Sequence, residues 1–545
     1  MDREINANSI RALDEQIIHL QRSRNSLLNV ARIPPEILGH IFRFNIKPKA
    51  SNGPFAGLGK RAYNFLFVCH HWFEVARRIP DIWSFWGNSL EDWERQYPRS
   101  GPSPLDLVLD GVAHRIWPFG NNLQDALRGY AARDAIRTVH LRDDNMQLLT
   151  TIISTLTPED DGARASGIES IALDGATGDS FRSRHSPPTS GTDTSDFFSR
   201  RRFPNLRNLS LSGYLKISPW SWDCLKSHTG MLVNLSVSSI SYSSTPTTSQ
   251  ILSLLASNPN IQNLTLALSE DDGDKENGSK SRVPLRHLEN LTLEGGQHHI
   301  FLILRQLELS EKVDRTRLEF YGGTSDDVKE VTVPYIRDCL GRDPRFKDRL
   351  GIFVETYCAR ILLRVSVVGV GYHGPDHLPR QGPSHTIAMT LWSPDEGERL
   401  CVDILALLPQ ERVVYFETSL SMTATKEVVV AMPNLEALCL VDTEYPDEFL
   451  LPNPDGPNAH MKLVPSMRRL YLRDTRMRVH RRDWSPLVRY VTRQTSGNHP
   501  FSLVLVGECT HICSKAAKEI QGLVEEFVCD RDPGCSINTC GRSSL

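Results

Sequence analysis

The feature that most constrains this chain is an apolar triplet, apolar-x-x-apolar-x-apolar, that recurs along most of its length. Eight copies have close form. They are Ile136/Val139/Leu141, Ile168/Ile171/Leu173, Leu206/Leu209/Leu211, Leu232/Leu235/Val237, Ile261/Leu264/Leu266, Leu288/Leu291/Leu293, Leu435/Leu438/Leu440 and Met467/Leu470/Leu472. Successive starts lie 32, 38, 26, 29 and 27 residues apart as far as Leu288, and the last two lie 32 apart. One triplet is what any half-buried strand produces, because alternate side chains share a face. Eight at spacings near thirty describe a unit that repeats and cannot bury its apolar face alone. The 147-residue gap from Leu288 to Leu435 holds a further full match, Leu362/Val365/Val367, and looser ones at Leu318/Phe320, Met389/Leu391 and Val414/Phe416.

The pattern resembles leucine-rich repeats. That resemblance implies a short strand, a turn and a helical or irregular return in each unit. Several triplets follow a proline that stops a helix, as in Arg202-Phe203-Pro204-Asn205, Ser257-Asn258-Pro259-Asn260, Ala431-Met432-Pro433-Asn434 and Val464-Pro465-Ser466. The stretch Gln250 to Ala256 has helical spacing and predicts a return helix. The chain departs from the family at the eighth position of each unit, where Asn or Cys is usual. Here stand Asp144, Ala176, Tyr214, Ile240, Ser269, Gly296, Thr443 and Thr475. The expectation is therefore an irregular solenoid with variable repeats and no buried asparagine ladder. Three polar stretches break it as loops, near 178–202, 269–283 and 371–386. Such loops either line a binding face or are simply solvated.

The N-terminus is built differently. Ile10, Leu13, Ile17, Leu20 and Leu27 fall at three- and four-residue steps, with one gap at Arg24. This is an amphipathic helix over residues 5–30, of about two and a half heptads. It docks on its own protein, makes a weak oligomer contact or takes a partner helix. Next comes Ile33-Pro34-Pro35-Glu36-Ile37-Leu38-Gly39-His40-Ile41-Phe42. Pro34 keeps Ile33 out of helical angles, and Pro35 suits a first helical position. A second helix carries Val68-Cys69-His70-His71-Trp72-Phe73-Glu74-Val75-Ala76, and the segment leaves through Ile79-Pro80-Asp81-Ile82-Trp83.

These three elements, in this order, resemble an F-box of the kind found in fungal F-box-like proteins, over roughly residues 32–86. The Gly/Pro-rich insert between the first two, 47–60, departs from the pattern. Further family-like residues follow: Leu90 to Gly101 with Trp93 and an Arg99-Ser100-Gly101 turn, then the strand Pro104-Leu105-Asp106-Leu107-Val108-Leu109. The resemblance implies binding to a Skp-type adaptor, and through it to a cullin scaffold. It puts Ile33, Pro34, Pro35, Ile37, Leu38 and Ile41 near that contact. It has Val68, Cys69, Trp72, Val75 and Trp83 holding the helices together and bordering it. The alternative is that these helices only cap the domain that follows.

The expected fold is mixed α/β: an N-terminal helix (1–31), a helical F-box-like module (32–88), an irregular leucine-rich solenoid (89–508) and a cysteine-containing cap or tail (509–545). The expected function is a non-catalytic substrate receptor of a ubiquitin ligase with an unknown target protein. The alternative is a scaffold or ligand-binding solenoid with no ligase role. No cofactor, metal, nucleic acid or membrane is called for. Lys and Arg number 62 against 65 Asp and Glu, which gives no global attraction to polyanions. No apolar run approaches the ~20 residues that span a bilayer. The N-terminus lacks a signal-type apolar core, so the eleven cysteines are expected as thiols of a cytoplasmic or nuclear chain. Four Asn-x-Ser/Thr sequons arise from the strand pattern itself.

Chemistry-bearing motifs are sparse. Gly369-Val370-Gly371-Tyr372-His373-Gly374 is followed by Pro375 and Pro379, which is loop chemistry and not a phosphate-binding helix start. Cys509, Cys513, Cys529, Cys535 and Cys540 contain only one close pair and read as structural thiols before a zinc site. Basic clusters at 200–202, 468–469 and 476–482 are either scattered charge or a patch for an acidic segment.

Overall fold

A computed structural model describes residues 2–46, 66, 68–86, 101, 103–110, 125, 127–129, 135–143, 147–157, 163–164, 167–175, 192–213, 215–228, 230–238, 246–267, 282–309, 313–321, 334–335, 349–357, 360–367, 384–390, 394–442, 466–473, 485–496, 500–506 and 514–529. The chain is mixed α/β with mainly parallel strands, and it divides into two compact units. One comprises 1–263 with 273–275, the other 264–272 with 276–545.

The first unit opens with helices α1 (Asp2–Ser26), α2 (Pro35–Ile46), α3 (His70–Arg77) and α4 (Pro80–Trp83). Strands β1 (Phe85–Trp86), β2 (Leu105–Asp110), β3 (Ile136–Asp143), β4 (Ser170–Gly175), β5 (Asn208–Ser212) and β6 (Asn234–Ser238) follow. Each pairs in parallel with the next in chain order. Return helices α5 (Gln147–Leu156), α6 (Ser195–Arg200), α7 (Pro219–His228) and α8 (Thr248–Ser257) lie between or after them. Helix α8 starts with a capping box, in which Thr247 and Gln250 satisfy each other's backbone N–H.

All eight close triplets are buried throughout. They also stack in register: Val139 opposite Ile171, Ile171 opposite Leu209, Leu209 opposite Leu235. Two local devices hold this register. The Pro-Asn pairs make turns in which the residue before proline accepts from the triplet's first residue, Leu206 N–H to Phe203 at 3.2 Å and Leu435 N–H to Met432 at 3.2 Å. The residue after each opening apolar then offers its carbonyl to two N–H groups of the next unit. Glu169 takes Arg207 and Asn208, Arg207 takes Val233 and Asn234, and Val233 takes Gln262 and Asn263. Gly213 (φ 80°) turns the chain after β5, where an added Cβ would lie 2.0 Å from the Gly175 carbonyl oxygen.

Composition extends the first polar loop to 202, but the structure is regular from 192 onward. Phe197 and Phe198 on α6 are fully buried against Phe203, and that apolar burial outweighs the surrounding Ser, Asp and Arg. Residues 178–191, 269–281 and 371–383 lie outside the described residues, as do the 47–60 insert, the Trp93 stretch and the 476–482 basic run. Residues 282–283 and 384–386 belong to ordered segments, Val283 and Ser384 each starting a strand.

In the second unit, β7 (Asn263–Ala267, counted from Leu264) leads to β8 (Asn290–Gly296), β9 (Arg315–Tyr321), β10 (Leu350–Tyr357), β11 (Arg360–Val367), β12 (Ser384–Thr390), β13 (Val413–Thr418), β14 (Ala437–Val441), β15 (Arg469–Arg473), β16 (Ser502–Val506) and β17 (Glu526–Cys529). Its helices are α9 (Gln297–Gln306), α10 (Pro394–Ala406), α11 (Met422–Val430), α12 (Ser485–Thr495) and α13 (Ser514–Gln521). From β8 the spatial order is β8-β9-β12-β11-β10-β13-β14-β15-β16-β17.

Here the Leu362/Val365/Val367 match is corrected. It lies on β11, which runs antiparallel to both neighbours and is no copy of the parallel unit. Only residues 358–359 separate β10 from β11, and so short a link permits a hairpin but not a parallel crossover. The parallel array also runs past 508: Leu503 and Leu505 of β16 stand opposite Phe527 and Cys529 of β17. Among the described residues no helix is long and apolar enough to cross a membrane.

Candidate functional site

The helical module at the start of the first unit holds every residue expected at an adaptor contact. Helix α2 begins where Leu38 N–H reaches the Pro34 carbonyl at 3.0 Å, and Pro35 occupies its first position. Glu36 sits in the first turn, where the helix dipole favours a carboxylate. Leu38 and Phe42, one turn apart, are both fully buried. They pack with Ala76, Ile82, Trp83 and Val108 in one core. Ile33, Ile41, Trp72, Val75 and Ile79 flank that core and remain partly exposed. Phe42 meets the Trp72 ring edge to face at 5.4 Å, and the Trp83 indole N–H donates to the Ala76 carbonyl at 2.9 Å. Gly39 is buried where α2 crosses Ile79, whose Cδ1 would lie 3.1 Å from an added Cβ.

The opposite side of α2 is open. Ile37 is 51% and Phe44 75% exposed. They are seven residues apart and so share one face, with His40 exposed and Ile41 half-buried between them. Pro34 and Pro35 are exposed at its start, Val68 is 46% exposed, and the Cys69 thiol is free and half-buried at the N-cap of α3. The structure thus separates the expected residues into two sets. Ile37, Pro34, Pro35 and Val68 are exposed, and Ile33, Ile41 and Cys69 are half-buried. Trp83, Trp72 and Val75 hold the helices together. Leu38 belongs with that second set: at 0% exposure it offers no surface, because its place one turn before Phe42 points it at α3 and α4. Phe44 is the surface residue that sequence reasoning missed, although its seven-residue step from Ile37 announces it.

Val108 comes from β2, and Asp106 N–H bonds the Ser84 carbonyl at 2.9 Å. The module core is therefore closed by the first long strand of the sheet.

A second accessible surface is the side of β3–β6 away from the return helices. Its residues are half-buried and uncharged toward β6: Ser170, Asn208 and Asn234 form one row, and Ser210 and Ser236 the next. Asn263 donates to Asn234, and Asn234 to Asn208, so an asparagine ladder does run along the sheet, on its open side. Toward β2 the face carries compensated charge. Arg137 pairs with Asp106, Arg142 with Asp174 at 3.3 Å, and the Ser212 hydroxyl donates to Asp174 at 2.8 Å. His140 Nε2 and the Ser170 hydroxyl share a bond of 2.7 Å. In the second unit the corresponding face is closed. Phe353, Tyr415, Cys439 and Tyr471 are buried together, Arg364 stacks on Phe353 at 4.3 Å, and Glu417 accepts from Tyr415 and Arg473.

No known family model and no curated protein matches the chain.

No described cluster of three or more His, Cys, Asp or Glu is poised to hold a metal. Two buried thiols are held against ionisation: burial, with Glu398 adding to it, pushes Cys401 up to about 12, and burial with Asp223 raises Cys224. The 369–374 glycine motif lies outside the described residues. So do Cys509, Cys513, Cys535 and Cys540, and nothing is described of the Cys529 side chain.

Proposed function

We propose that the chain is an F-box-like protein with an irregular leucine-rich solenoid, acting as the non-catalytic substrate receptor of a Skp–cullin–F-box ubiquitin ligase in the cytoplasm or nucleus. The observation that carries this reading is the outer face of α2. Ile37 and Phe44 stand in water on a helix whose other side is anchored by Leu38 and Phe42. A helix that presents an apolar stripe while rigidly held from behind suits helix-in-groove recognition by a partner. In such a ligase the receptor contributes proximity and orientation of the target. The polar open face of β3–β6 is the surface on this unit suited to a target protein.

A purified Skp-type adaptor is expected to bind the full chain in a pull-down. The double substitution Ile37→Asp with Phe44→Asp removes that binding and leaves the thermal transition in place, because both side chains are already exposed. Binding that survives the double substitution would contradict the placement of the contact. A second reading, a solenoid scaffold or ligand-binding protein without ligase role, draws support from Val108, which closes the module core without a partner. Failure of the unsubstituted chain to bind any Skp-type adaptor would favour it.

A further inference from the structure

Three arginines around the reversed strand β11 each hold a carboxylate. Arg349 pairs with Glu436 at 2.7 Å, Arg317 with Glu319 at 2.8 Å, and Arg473 with Glu417. Arg364, on β11 itself, has no such partner among the described residues. It is half-buried, its guanidinium carbon lies 4.3 Å from the Phe353 ring centroid, and its Nε is buried with no hydrogen-bond partner. The ring face offsets part of the cost of taking this charge out of water, but it supplies no counter-charge. The register brings a second guanidinium to the same side of the sheet. Arg317 of β9 stands opposite Thr386 of β12, and Thr386 opposite Arg364. Leu318, Leu363 and Val365, their chain neighbours, are buried on the other side. We infer that Arg364, flanked by Arg317, binds the carboxylate of an acidic polypeptide segment.

Charge and geometry choose this ligand. Glu319 already takes up one of the two positive charges, so one carboxylate balances the other. A phosphate dianion would overfill the site. It would also meet the acidic row that follows, where Glu294 stands opposite Glu319 and Glu355 opposite Leu362. A carboxylate offers two oxygens in one plane, which is the pattern that the parallel N–H groups of a guanidinium take. Arg364 is held from below by Phe353, so little side-chain freedom is lost on binding. Arg317 stands two strand spacings away, about 10 Å, the length of three residues of extended chain. It is 53% exposed and spends one Nη atom on Glu319, so its other N–H groups can reach the carbonyls of a chain crossing β12. A small free carboxylate would engage Arg364 alone. The inference uses no residue of α2 and stands apart from the ligase reading.

Fluorescence anisotropy of a labelled hexaglutamate peptide with the full chain tests it. The parent chain is expected to bind this peptide and not a hexaglutamine peptide. Arg364→Met keeps a stem over Phe353 but removes the charge, and should weaken binding about tenfold or more, as the loss of a charge-assisted hydrogen bond does. Its thermal transition should hold or rise, because a half-buried charge without a partner is gone. Arg317→Gln, on an exposed side chain, should weaken binding by a smaller factor with the thermal transition in place, and it reads the site even if Arg364→Met does not fold. Acetate should displace the peptide better than chloride at equal ionic strength. No binding by the parent chain overturns the inference. So does binding that neither substitution weakens, which would put the peptide on another basic cluster such as 200–202. Displacement by inorganic phosphate but not by acetate would show a site for a dianion and also overturn it.

Discussion

Single residues decide several of the joints in this fold. Asn258 is fully buried at the end of α8, where its side chain accepts from Leu232 N–H at 3.2 Å and donates to the Leu254 carbonyl at 2.9 Å. It therefore ties a return helix to the strand unit before it. Asn258→Leu leaves both backbone groups buried and unpaired, and is expected to cost about 2–4 kcal/mol in denaturant unfolding. Cys401 gives a pH signature. Its folded thiol ionises near 12 against 9.0 for the ordinary group. An acid whose folded value is raised contributes fully below the unfolded value, and the contribution is lost as pH climbs through the interval. Stability should fall from pH 9 toward 12, by about 4 kcal/mol from this group at the far end. Melting curves of Cys401→Ala across that interval should slope less than those of the parent chain. Asn258 was visible in the sequence only as part of a helix-stop motif. Nothing in linear spacing says that one asparagine of the pair Asn258 and Asn260 is buried and the other exposed.

At the scale of elements, the triplets were fully legible, because burial on one face imposes a period of two on any strand. What failed was the inference that every triplet belongs to the same kind of strand. Leu362/Val365/Val367 has the right residues, yet strand direction is set by the length of the preceding link, which a triplet does not encode. Helix α2 was legible in its residues and misread in its facing. Both Ile37 and Leu38 looked like surface candidates, and only packing against Ala76, Ile82 and Trp83 tells them apart. Leu38→Ala is accordingly expected to cost about 2–5 kcal/mol, while Ile37→Ala leaves stability nearly unchanged. The turn after β5 gives another test. Gly213→Ala meets the Gly175 backbone at a positive φ, so β5 and β4 must separate. We expect a loss of more than about 1 kcal/mol in denaturant unfolding.

Across the whole molecule the two units are assembled on different plans. In the first, strands β1 to β6 pair strictly with their neighbours in the chain, as a linear array should. In the second, β9 pairs with β12 and β10 with β13, around the reversed strand β11. During synthesis this inversion has a cost in time. Once Tyr321 ends β9, another 62 residues must be made before Ser384 begins the strand that covers its free edge. At about 5–20 residues per second, β9 waits roughly 3 to 12 seconds with a row of unpaired backbone groups on one side. The interval between those two strands is thus a window in which a nascent second unit is open to sheet-edge aggregation, longer than any between paired neighbours of the first unit, where the widest gap runs from Gly175 to Asn208.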